Sequence, residues 1–134
     1  MLDATGPIDR VGATGEALAL IERLVAMHGP VLFHQSGGCC DGSAPMCYPR
    51  GEFLVGDSDV LLGRLPDPGA TPFYMWKPQF EYWSHTHLTV DVVPGRGSGF
   101  SLEAPEGVRF LIRSRLFTDE EALGLAEPVE SAGA

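Results

Sequence analysis

The stretch WSHTHLTVDVVPGRGSGFSLEAPEGVRFLIRSRLF, Trp83 to Phe117, decides the fold class. Two alternating runs, Trp83 to Val93 and Val108 to Phe117, flank a glycine-rich turn, PGRGSG, and a short FSLE segment. Successive side chains on an extended strand point to opposite faces. Leu88, Val90 and Val92 therefore share one face, and His85, His87, Thr89 and Asp91 the other. In the second run Phe110, Ile112 and Leu116 are expected to face the core, with Arg109, Arg113 and Arg115 opposite them beside Leu111 and Phe117. Period-two patterning interrupted by glycine turns reads as antiparallel strands.

Outward from this pair, VLFHQ (Val31 to Gln35), FLVG (Phe53 to Gly56), DVLLGRL (Asp59 to Leu65) and PFYMW (Pro72 to Trp76) read as further short strands, separated by Asp, Pro and Gly. One helix precedes them. Ala17, Leu20, Ile21, Leu24 and Met27 recur at helical spacing from about Glu16 to His28, Thr14 is placed to cap it, and Gly29-Pro30 stops it. Thr118 to Glu121 is a capping-box pattern for a short acidic C-terminal helix. The expected fold is thus α+β and mainly β: an N-terminal helix, then an antiparallel β-sandwich or barrel-like sheet of about six to eight short strands. Residues 1–134 read as a single domain, with 128–134 expected to fray.

Composition excludes several function classes. Eighteen Asp and Glu against nine Lys and Arg give a net charge of −9, a field that repels phosphate backbones and anionic lipid heads, so no nucleic-acid or membrane partner is expected. The start, MLDATGPIDR, lacks the basic cluster and apolar run of a secretory signal, and charges cut every apolar stretch, so a cytoplasmic location is expected. Seventeen Gly and eleven Pro favour turns and short strands over a helical bundle.

The chemistry-bearing residues gather in one loop and one strand. SGGCCDGSAPMCYPRG, after Gln35, carries all three cysteines, Cys39, Cys40 and Cys47, and follows His34 at a strand end. His85 and His87 form a His-x-His pair on one strand face. Thiolate and imidazole together are ligands for zinc first, then iron or copper, and the C-C-x6-C spacing requires such a site to be completed across the sheet. The same residues allow thiol chemistry. Gly37-Gly38 amides can stabilise a thiolate, His34 can serve as its base, and a vicinal or longer disulfide is a further option. Packing is the plain alternative for each cysteine, and a solvated polar face is the plain alternative for the histidine pair. Phe73, Tyr74, Trp76, Phe80, Tyr82 and Trp83 supply six of twelve aromatics, which core packing explains most simply and a homo-oligomer interface next. The arginines on the last strand are expected to pair with the excess of Asp and Glu, although a carboxylate or phosphate ligand would also suit them.

FHQSGGCCDGSAPMCYPRGEF, Phe33 to Phe53, and FEYWSHTHLTVDVVPGRGSGFSLEAPEGVRFLIRSRLF, Phe80 to Phe117, closely resemble the small bacterial proteins grouped as domain of unknown function 779. QSGGCCDGS is the most specific stretch of the resemblance, which matches His34, Cys39, Cys40, Cys47 and His85 to motif positions. Members are often encoded beside aldehyde dehydrogenase genes, so the resemblance implies a link to aldehyde or alcohol metabolism and an aldehyde dehydrogenase as a partner. It supplies no catalytic residues. Three functions follow from these residues: a metal- or redox-binding accessory protein with a Cys/His cluster joining the loop to the sheet, a metal- or thiol-dependent enzyme acting on an aldehyde or its adduct, and a disulfide-stabilised structural oligomer.

Overall fold

The fold is seen in a computed structural model, which describes residues 10–35, 43–51, 55–95, 101–123 and 129–130. Helix α1 (Gly15–His28) begins where Thr14 accepts a hydrogen bond from the Ala17 amide and ends at Gly29, whose φ of 82° is left-handed. Only glycine adopts that conformation without strain, so the stop seen in the sequence has a backbone cause. Ala17, Leu20, Ile21 and Leu24 are buried as their spacing predicts. Met27 is not, at 57% exposed, because the last turn of the helix runs past the core.

Two sheets enclose the core. In the first, β1 (Val11–Ala13) lies parallel to β6 (Thr86–Pro94), which pairs antiparallel with β7 (Val108–Leu116). The second has the order β3 (Met46–Pro49), β2 (Val31–Gln35), β5 (Pro72–Trp76), β4 (Asp59–Arg64), β8 (Val129–Glu130). Phe33 stacks on Phe73 at 5.9 Å within this sheet and meets Phe110 of β7 edge-on at 4.9 Å, so the aromatic contact joins both sheets. All three rings are fully buried, each contributing about 1.5–3 kcal/mol of apolar burial.

Several expectations need correction. The sheets are mixed, since β1–β6 and β2–β5 are parallel pairs, and among the described residues the strands form two sheets and no closed barrel. A parallel pair needs a long connection: the chain through β3 and β4 lies between β2 and β5, and everything from α1 to α2 lies between β1 and β6. Helix is not confined to the chain ends. Lys77–Trp83 forms α2, with Pro78 in its first turn, and absorbs the start of the stretch read as a strand from Trp83. Ser101 to Glu103 is a turn leading into a 3-10 turn, Ala104–Glu106, and Phe53 of the expected FLVG strand lies outside the described residues. Of the tail 128–134 only 129–130 is among the described residues, where β8 pairs antiparallel with β4 through Val60 and Leu61. Phe110 and Ile112 face the core as expected, whereas Leu116 stands 72% exposed because β7 runs beyond the core at its C-terminal end, and Leu111 is buried on the opposite face. The short acidic helix α3 (Asp119–Leu123) is present, with a reciprocal capping box between Thr118 and Glu121.

Candidate functional site

Register decides which face of the second sheet each side chain occupies. Phe33 is paired with Cys47 and with Phe73, so Cys47 shares the core face with the two rings. His34, one residue on, is paired with Met46 and Tyr74 and points to the opposite face. On that face Asp59 is the partner of Trp76, at the start of β4 and two strands away from His34. The two side chains reach toward each other across β5 and meet with His34 Nε2 and Asp59 Oδ1 2.6 Å apart. His34 is 6% exposed and Asp59 8%, so the contact is sealed from water. The second carboxylate oxygen of Asp59 accepts from the Gly56 amide at 2.9 Å, and the Asp59 amide donates back to the Gly56 carbonyl at 3.1 Å. A backbone turn thus fixes the carboxylate, and the carboxylate fixes the ring. A hydrogen bond to a charged group in such low-dielectric surroundings is worth about 1.5–3 kcal/mol. Chemically, a carboxylate on one ring nitrogen sets the tautomer and raises the basicity of the other, the arrangement behind both metal-bound histidines and histidine bases.

The remaining candidates are spread over the molecule. Cys39 and Cys40 lie outside the described residues, in the segment that follows Gln35. Cys47 is free and fully buried, and burial pushes its thiol well above the usual range, with the neighbouring Glu103 carboxyl adding to the shift. It is held by its backbone: its amide donates to Ser101 Oγ at 2.8 Å, and its carbonyl accepts from the Leu102 amide at 3.0 Å. The Ser101 hydroxyl contacts Glu103 Oε1, and Glu103 Oε2 accepts from the Phe110 amide at 3.5 Å. Burial raises the Glu103 carboxyl above its ordinary range, against these hydrogen bonds. This cluster clamps the segment before β7 onto the edge of β3. Burial of this kind favours the protonated thiol, which is the packing role expected of a buried cysteine.

His85 and His87 stand on the first sheet, away from β2. His85 is exposed in the turn between α2 and β6, and its carbonyl accepts from the Phe117 amide. The ring of His87 packs edge-on against Phe117 at 6.1 Å. Among the described residues no three His, Cys, Asp or Glu side chains form a group able to hold a metal ion. His34 and Cys47 stand on opposite faces of the second sheet, and His87 stands on the first. Two of the last strand's arginines find carboxylates. Arg113 Nε donates to Asp91 at 2.7 Å, holding that carboxyl below its ordinary range, and Arg115 grips both oxygens of Glu121, pulling its carboxyl down to about 2.

Asp59 escaped the sequence reading because an Asp opening a strand after Gly56-Asp57-Ser58 looks like turn chemistry. Only the parallel pairing of β2 with β5 brings it to His34. Fold and site together define a two-sheet α+β protein with a sealed histidine–carboxylate pair at the end of the strand that precedes Cys39 and Cys40 in the sequence. The chain belongs to the family described as "Domain of unknown function (DUF779)", whose family model matches residues 20–116. No curated protein and no solved structure matches it. No helix among the described residues is long and apolar enough to cross a membrane.

Proposed function

We propose that the protein is a small metal-binding accessory protein linked to aldehyde or alcohol metabolism, with His34 and the cysteines of the following loop, Cys39 and Cys40, as ligands. The observation that carries this reading is the sealed contact between His34 and Asp59, at the end of the strand that leads into the cysteine segment. Metal-bound histidines characteristically give their second ring nitrogen to a carboxylate, which fixes the ring and strengthens it as a ligand. With Nε2 on Asp59, metal is taken through Nδ1. Two thiolates and an imidazole suit zinc best, with iron or copper next. Cys47, His85 and His87 do not belong to this ligand set.

Elemental analysis of untagged protein tests it. Wild type is expected to carry about one zinc per chain, His34→Ala, Cys39→Ser and Cys40→Ser to lose most of it, and Cys47→Ser and His85→Ala to keep it. Metal far below one per chain in wild type, or equal metal in all variants, overturns the reading. The same contact favours a second reading, in which His34 activates a Cys39 or Cys40 thiol for attack on an aldehyde, as histidine–carboxylate pairs activate nucleophiles elsewhere. That reading expects chelators to leave alkylation of these thiols unchanged and His34→Ala to slow it near neutral pH.

A further inference from the structure

Helix α1 turns one face away from the core, and Glu16, Ala19 and Arg23 on that face are all exposed. They stand at i, i+3 and i+7, so they form one row along the helix. Neither Glu16 nor Arg23 makes an ion pair among the described residues, and the two positions are about 10.5 Å apart along the helix axis. Beside the row runs a groove of about 390 Å³ between α1 and the β6–β7 hairpin, with Leu20, Val92 and Val108 on its floor and the two charges on its rim.

The row is self-complementary. Read along the helix it is acid, small residue, base; read along an antiparallel copy it is base, small residue, acid. We infer that this face is a two-fold interface between two copies of the chain, with α1 packed antiparallel on α1 so that Glu16 of each copy meets the partner's Arg23. An isologous contact demands this reciprocity, in which residue i touches j and j touches i. Ala19 falls next to the midpoint between the two charges and hence next to the symmetry axis, where a methyl group lets helix axes approach to about 8 Å. A ligand carrying a single charge would satisfy one end of the row only. The apolar floor supplies the burial, and the paired charges supply the register, in a chain whose net charge of −9 otherwise opposes self-association. A 14-residue helix is only about 21 Å long, so the interface is small and the dimer reversible.

Sedimentation equilibrium of the full chain, from micromolar to near-millimolar concentration, tests this. Wild type is expected to dimerise. Glu16→Arg and Arg23→Glu are each expected to weaken the dimer on the order of tenfold or more, since each swap places two like-charge contacts across the axis. The double variant restores both pairs with reversed polarity and is expected to recover the wild-type dimer. Glu22→Arg, on the same helix but outside the groove lining, controls for the change in helix charge and should leave the dimer in place. Ala19→Cys should form a disulfide with its own copy, mapped by mass spectrometry of the crosslinked peptide. A monomer at all concentrations, single swaps without effect, or a double variant as weak as the single ones would each overturn the proposal.

Discussion

Replacing Asp59 by Ala isolates the contact on which the candidate site rests. The hydrogen bonds lost include the buried one to His34 Nε2 at 2.6 Å and the partly buried one from the Gly56 amide at 2.9 Å. His34, 6% exposed, then keeps a ring N–H with no access to water, at a cost of about 1–3 kcal/mol, and the Gly56 amide adds about 0.5–1.5 kcal/mol. Removing one negative charge from a chain of net −9 returns a small part of this. The net expectation is a loss of about 3 kcal/mol in urea unfolding at neutral pH, or roughly 10 °C in melting temperature. Asp59→Asn should cost less. Its amide oxygen still accepts from one donor, while its NH2 group faces the other. A double-mutant cycle with His34→Ala separates the pair from general packing, with a coupling of about 1–3 kcal/mol expected. Asp59→Ala within about 0.5 kcal/mol of wild type, or a coupling near zero, refutes the assignment of a sealed, mutually supporting pair.

Further perturbations have definite signs. Phe33→Ala removes the ring that joins both sheets through Phe73 and Phe110 and should cost about 3–5 kcal/mol in the same urea assay. The Asp91 carboxyl is held low by Arg113 Nε, with Thr14 and the Val92 amide also donating to it. Its contribution is complete above the ordinary carboxylate range and lost as pH falls through the lowered value, so Asp91→Asn should flatten the acid limb of a stability–pH profile below about pH 4. Glu103 has the opposite sign. Its carboxyl is raised by burial, so folding is favoured most below its ordinary value and loses ground as pH rises through the raised one. Glu103→Gln should therefore leave stability less dependent on pH above about pH 4, measured by thermal melts across the range. Glu121→Ala removes both the grip of Arg115 and the side-chain acceptor of the α3 capping box, and should speed amide exchange at 119–123 while leaving the global melting temperature nearly unchanged.

Where local chemistry governs an element, the sequence revealed it. The α1 cap at Thr14, its stop at Gly29, the bounds of β2 and β5, and the Thr118–Glu121 box all depend on residues within four positions of each other. What was hidden depends on long-range pairing. The parallel β1–β6 and β2–β5 ladders leave no short-range mark, since a parallel pair is joined by distant chain rather than by a turn. For the same reason Asp59 was invisible as a site residue, although His34 was singled out: 25 residues and a third strand separate them. Cys47 shows the converse limit. Its clustering with two other cysteines argued for chemistry, while its place opposite Phe33 in the ladder commits it to the core.

Nitrogen NMR of the His34 ring, in metal-free protein and after addition of one equivalent of zinc, tests the central claim most directly. The ring is expected to be protonated at Nε2 and bonded to Asp59 in both states, with the Nδ1 resonance shifting on zinc addition and that shift abolished in Cys39→Ser. A ring protonated at Nδ1, or a Nδ1 resonance indifferent to zinc, would contradict it.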